Sequence, residues 1–408
     1  MHRASRVNVT GPLEPYAGGF AAELQRLGYT PLSAALQLRL AAHLSRWLAG
    51  AGLAVTALTE QAAGEFLTAR RAAGYTQYLH MQSLGPLLGY LRGLDAVPPA
   101  PAVTPLTPAG DLLAGYQRHL VSERGLAAGT CANCVRLVRP FLAGRTAAGV
   151  LDLEHLTAGD VTAFMVGTAR ERSPDTARNS ATALRSLLRF LHVNGLITEP
   201  LSQAVPAVAR EAKTHPAKAV DAGTVAAMLA GCDRGTVGGR RDFAIITLLA
   251  RLGLRAGEVA GLHLDDLDWH AGEIVIHGKG STRDRLPMPP DAGEAIAGYL
   301  QSGRPPSALD RHVFIRLSAP CHGLTAGGVK HVVIMAGERA RAGPLTPHRL
   351  RHTAATATLA AGAPLAEVSQ LLRHRREQTT TIYAKVGTEA LRPLARPWPA
   401  ADQPGGAA

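Results

Sequence analysis

Leu84, Leu87, Leu88 and Leu91 are spaced i, i+3, i+4 and i+7, and Leu184, Leu187, Leu188 and Leu191 repeat that spacing. Such a pattern puts one buried stripe on an α-helix, and in each case an aromatic (Tyr90, Phe190) stands at i+6. The likeness extends upstream. LTEQAAGEFL (58–67) matches LTAGDVTAFM (156–165), with Phe66 and Phe164 at one offset from their Leu-Thr pair, and LQRLGYTP (24–31) and LVSERGLA (120–127) are candidate equivalent loops. Duplication and convergent patterning in an Ala/Leu-rich chain both produce this. Either way, the two segments read as small all-helical bundles.

Two Pro-rich breaks separate them from each other and from the rest. DAVPPAPAVTPLTP (95–108) has linker composition, and EPLSQAVPAVAREAKTHPAK (199–218) is a second, more basic connection. Beyond it the pattern changes. After the helical stretch RRDFAIITLLARLG (240–253), GEIVIHGKGSTRDRLPMP (272–289) reads as strand, turn and return strand, with HVFIR (312–316) as a candidate third strand. TPHRLRHTAATATLAAG (346–362) and PLAEVSQLLRHR (364–375) return to helical periodicity. The expected architecture is mainly α with a small β-sheet: two helical bundles, then an α+β domain.

The chain carries a formal charge of +12, which favours a polyanionic partner, nucleic acid being the commonest. Arginine outnumbers lysine 38 to five, and no lysine precedes Lys213, so a single arginine carries little information here. A lysine in a special place carries more. No run approaches 18 uncharged apolar residues, the first residues lack the apolar core of a signal peptide, and four cysteines are too few for a disulfide framework. A soluble cytoplasmic protein, not associated with a membrane, is the expectation. Cys131-x-x-Cys134 is a single pair on a helical pattern and reads as small-residue packing.

Thr346-Pro347-His348 is a helix start, and His348, Arg351 and His352 share one face of its first turns, near the positive end of the helix dipole. That placement suits a phosphate. HRLRH is not the HExxH of a zinc site, and its arginines would repel a cation, so neither metal nor cofactor is expected. Lys279 sits between Gly278 and Gly280 in the hairpin turn, where an ammonium, unlike a guanidinium, can give up a proton. Arg255 follows an apolar helix in LGLRAGE, and LLRHRREQTTTIYAKV holds His374 and Tyr383.

Taken together, LGLRAGEVAGLHLDDLD, GKG…RLPMP, PHRLRHTAAT, LLRH and TTTIY resemble the tyrosine recombinases, or phage-type integrases. The order Arg, Lys, His-x-x-Arg, His, Tyr, with gaps of 24, 69, 3, 23 and 9 residues, is specific as a set. The resemblance implies that Arg255 and Arg351 clamp a phosphate, that Lys279 protonates a leaving oxygen, and that His348 and His374 are the family's two histidines. Tyr383 would be the nucleophile that makes a 3′-phosphotyrosyl bond. The expected order is a tail at 1–15, a helical domain at 16–94, for which duplication of the core-binding domain is one reading, and a linker at 95–108. A SAM-like core-binding domain at 109–204, a linker at 205–218, a catalytic domain at 219–389 and a flexible tail at 390–408 complete the order. The expected partners are double-stranded recombination sites and further copies of the chain in a tetrameric synapse, with sister recombinases or accessory factors as additional candidates, and the expected role is integration or excision of a mobile element. A type IB-like topoisomerase and a non-catalytic DNA-binding relative are the alternatives. Arg373 stands where the family has Gly, and Thr282 where a second basic residue is common.

Overall fold

The computed structural model describes residues 7–99, 107–147, 149–208, 219–278 and 282–373. These divide into two compact units, one drawn from Ala100–Lys213 and the other from Met1–Pro99 with Thr214–Ala408. The fold is mainly helical with two small sheets. No helix of the described residues is long and apolar enough to cross a membrane.

The larger unit opens with α1 (Glu14–Arg26), α2 (Pro31–Gly50), α3 (Glu60–Ala72) and α4 (Met81–Arg92). Thr30 and Thr59 cap α2 and α3 by accepting the backbone N–H groups of Ser33 and Ala62, donors that have no partner inside the helix. Leu84, Leu87, Leu88 and Leu91 all enter the core of this bundle. So do Val9 and Leu13, which lie in the segment expected to be a tail. The Leu13 N–H donates to Ser45 Oγ at 3.0 Å on α2, so apolar burial and a hydrogen bond both hold residues that the sequence pattern leaves unassigned.

The smaller unit contains α5 (Pro108–Ser122), α6 (Ala128–Gly144), the short antiparallel pair β1 (Thr146–Ala147) and β2 (Val150–Leu151), α7 (Ala158–Glu171) and α8 (Pro174–Val193). Its core repeats features of the first bundle. Phe20–Tyr90 and Tyr116–Phe190 are tilted ring pairs at 5.6 and 5.5 Å; Trp47–Phe66 and Phe141–Phe164 are edge-on pairs at 5.9 and 5.2 Å. Thr157 caps α7 as Thr59 caps α3. Cys131 is buried in α6 and Cys134 half-buried, and burial pushes the Cys134 thiol up, away from thiolate reactivity.

The remaining elements are α9 (Ala222–Ala230), α10 (Val237–Leu252), α11 (Ala256–Ala260), β3 (Leu267–Asp268), β4 (Glu273–His277) and β5 (Arg283–Pro287). They are followed by α12 (Pro290–Ser302), α13 (Ala326–Arg339), α14 (Pro347–Ala360) and α15 (Leu365–Leu371). The strands form an antiparallel β3-β4-β5 sheet with Ile274 facing Leu286 and His277 facing Arg283. The third strand is Leu267–Asp268 and not 312–316. His312 and Ile315 make only single bridges, to His263 and Gly323. Val313, Phe314 and Ile315 are all fully buried, so this apolar run crosses the core as a connection and does not alternate faces as a half-buried strand would.

Candidate active site

Helix α10 ends at Gly253 in the left-handed conformation (φ +56°), and the chain then turns through buried Leu254 to Arg255 at the start of α11. Glycine is needed there twice over. Its φ disfavours a side chain, and a Cβ would lie 3.0 Å from Leu372 and 3.3 Å from Ala354. This close approach brings the α10–α11 turn, helix α14 and the end of α15 to one place.

Arg255 is partly exposed and is held from behind. Its backbone N–H donates to Glu258 Oε2 at 2.8 Å, and its Nη1 donates to Glu258 Oε1 at 2.6 Å. Glu258 is buried. Burial pushes its carboxyl up, but the Arg255 backbone N–H, the Arg373 charge and the Arg255 guanidinium outweigh that and leave it below the usual range.

Helix α14 carries His348, Arg351 and His352 on its first two turns. Arg351 is buried, donating from Nη1 to the Gly253 carbonyl at 2.5 Å and from Nη2 to the Leu372 carbonyl. Exposed His348 meets buried His352 through their Nε2 atoms at 3.0 Å, so one proton serves both nitrogens. Burial, the neighbouring His348 and Arg351 together lower the His352 pKa to about 4, which keeps that ring neutral near pH 7. Thr353 Oγ1 anchors the same helix to residue 220, accepting from the Val220 N–H at 2.7 Å.

The hairpin also reaches this place. His277 Nε2 pairs with Asp266 Oδ1 at 2.7 Å, while Asp266 Oδ2 accepts the His263 N–H at 2.9 Å, fixing the strand that leads to the turn. The Gly278 N–H donates to the Thr282 carbonyl at 2.8 Å and closes the hairpin end. Lys279 at its tip, and His374 and Tyr383 beyond α15, lie outside the described residues. Asp284 on β5 lies 4.0 Å from Arg373 Nε, so the strand after the tip reaches the Arg255–Glu258 cluster. Arg255, His348 and Arg351 thus sit on elements that meet at Gly253 and Leu372.

A family model for the phage integrase family matches residues 218–389, and one for the phage integrase N-terminal SAM-like domain matches residues 113–195. The chain is 38% identical over 393 residues to the integrase/recombinase y4rA of Sinorhizobium fredii, covering 95% of each chain. It is 34% identical over 297 residues to the tyrosine recombinase XerD of Mycobacterium tuberculosis, covering 69% of this chain and 94% of that one. The chain belongs to the tyrosine recombinases of the phage integrase family. Among solved structures, this recombinase shares its fold with a lambda integrase dimer bound to a COC′ core site. That match has a TM-score of 0.53 and 16% identity, and covers 67% of this chain and 76% of that one. It also shares its fold with the XerH site-specific recombinase bound to a palindromic difH substrate (TM-score 0.52, 16% identity, 72% and 99% covered).

Motif spacing in this recombinase singles out Arg255, His348 and Arg351, passes over Glu258, and puts His352 on the phosphate-suited helix face without a separate role. Glu258 was visible as an acidic residue three positions after Arg255, the spacing of an N-terminal helix cap. His352 differs from a surface residue only by its burial, which no local pattern reveals. It has a measurable consequence. A histidine kept neutral by the fold binds fewer protons in the native than in the unfolded state between about 4 and its ordinary 6.5. Its contribution to stability is therefore complete above about 6.5 and is withdrawn as pH falls toward 4. Thermal melts should show stability falling over that window by up to about 3 kcal/mol. His352→Gln should flatten the slope; an unchanged slope in that variant would assign the acid sensitivity elsewhere.

Proposed function

We propose that this recombinase cuts and rejoins duplex DNA at specific sites through a 3′-phosphotyrosyl intermediate, and that it integrates or excises a mobile element. The observation that carries the reading is the convergence of Arg255 and Arg351 with His348 beside the segment entering His374. In the proposed step the Tyr383 oxygen attacks phosphorus, its bond to phosphorus forms, and the phosphorus–5′ oxygen bond breaks. The phenol proton passes to His348 or a neighbouring base, and Lys279 supplies a proton to the 5′ oxygen. Arg255 and Arg351 stabilise the charge gathered on the non-bridging oxygens, more strongly in the transition state than in the ground state. His374 hydrogen-bonds one of those oxygens. A 5′ hydroxyl from another strand then reverses the exchange, and because one phosphodiester replaces another, no nucleotide hydrolysis is needed.

Supporting the DNA partner are the +12 charge and the DNA-bound states of the lambda integrase and XerH structures that share the fold. The family's chemistry joins two duplexes, which supports four protomers at the crossover. Residues 109–204 are assigned to core binding, 16–94 to a duplicate of that module, and 219–389 to catalysis; a cytoplasmic, nucleoid-associated location follows from the substrate. Coverage of y4rA along 95% of its length favours a recombinase over a topoisomerase. The test is a nicked duplex carrying the recombination site, whose short downstream fragment diffuses away after cleavage. A denaturant-stable protein–DNA complex should accumulate, with its 3′ end blocked, its 5′ end free and its yield unaffected by EDTA. A duplex that is bound but never becomes covalently attached would leave only the non-catalytic reading.

A further inference from the structure

We propose that Arg373 is a positioning residue for Arg255, acting through Glu258, and that it keeps the phosphate-facing guanidinium from being neutralised. The inference rests on the reading of Arg255 as a phosphate ligand.

Arg373 has left-handed backbone (φ +51°), a conformation that crowds the Cβ of any L-residue and is ordinarily left to glycine. A long cationic side chain persists in such a position when its surroundings hold it. Here they do. The side chain is 8% exposed, Nη2 donates to Glu258 Oε2 at 2.7 Å, and Nη1 donates to the Leu371 carbonyl at 3.1 Å. Nε has no hydrogen-bond partner among the described residues, Asp284 Oδ2 being 4.0 Å away. The Glu258 carboxylate, 5% exposed, is thus gripped from both sides, by Arg255 on one and Arg373 on the other.

Charge arithmetic gives the arrangement its use. Arg255 and Glu258 alone form a neutral pair, and a buried carboxylate at 2.6 Å would hold back the pull of Arg255 on an incoming phosphate. A second guanidinium on the same carboxylate gives the Arg255–Glu258–Arg373 triad a net charge of +1, which the 40% exposed Asp284, 4.0 Å from Arg373 Nε, offsets only in part because solvent screens it. Geometry adds to this. Arg373 follows Leu372, whose carbonyl accepts from Arg351, and precedes His374 in the chain, so one short segment is tied to both arginines. Through Asp284 the same side chain faces the strand that returns from Lys279.

The experiment measures covalent complex formation on the nicked duplex, DNA affinity and melting temperature for the full chain and three variants. Arg373→Gly suits the left-handed backbone, Arg373→Met fills the space without charge, and Arg373→Lys keeps a cation. At saturating DNA the Gly and Met variants should form the complex about 10- to 100-fold more slowly, with affinity within about threefold of the parent, and Lys should recover most of the rate. A folded Gly or Met variant that reacts at the parent's rate overturns the proposal. So does a loss confined to affinity, or a Lys variant as slow as Gly. If the parent chain itself forms no covalent complex, the reading of Arg255 falls and takes this proposal with it; a reactive parent matched by its variants sinks this proposal alone.

Discussion

Tyr383→Phe should form no covalent complex with the nicked duplex, a loss of at least about 10⁴-fold, because the change removes the oxygen proposed to attack phosphorus. The change removes one oxygen and leaves the ring, so binding should persist: fluorescence anisotropy should give an affinity within a few-fold of the parent's. A free phenol, with a pKa of about 10, is a poor nucleophile near neutrality. Cationic Arg255, Arg351 and Lys279 would favour the phenolate, and a neutral imidazole can accept the proton in transit. The neutral His352 beside His348 keeps at least one ring of that pair uncharged at physiological pH. Persistence of a covalent complex in the Phe variant would mean that another hydroxyl attacks, and the assignment of Tyr383 would be withdrawn.

Arg351→Ala should damage both fold and reaction. The parent guanidinium is buried and bridges the Gly253 and Leu372 carbonyls; without it both acceptors lose a charged donor in a dry environment. Each such loss costs about 1–3 kcal/mol, so a destabilisation of roughly 2–6 kcal/mol is expected in thermal or denaturant melts. A guanidinium's planar fork of five N–H donors also matches the geometry of phosphate oxygens. Arg351→Lys separates the two effects. A single ammonium retains the charge but cannot span both carbonyls and a phosphate, so the lysine variant should fold while forming the covalent complex about 10²–10³-fold more slowly. A lysine variant with parental kinetics would make Arg351 a structural strut alone.

Both predictions involve residues that their order and spacing in the chain nominate as candidates. Local pattern also announced the helices, since the Leu84 and Leu184 stripes and the capping threonines act within a few residues of themselves. It was less informative where burial is continuous. Val313, Phe314 and Ile315 look like a strand because they are apolar, and they are a connection because the core surrounds them on all sides. Val9 and Leu13 likewise join a core that their polar neighbours do not advertise.

What the chain determined unaided was its helical bundles, the β4–β5 hairpin and the ordered motifs that nominate candidate reactive side chains, because periodicity, turn residues and ordered motifs are local properties. What only the tertiary structure decided was which charges meet. Glu258 and Arg373 lie 115 residues apart in sequence and 2.7 Å apart in space. His352 becomes a neutral partner of His348 only once α14 is packed against α10, since burial of a charge is set by every element around it and by none of them singly.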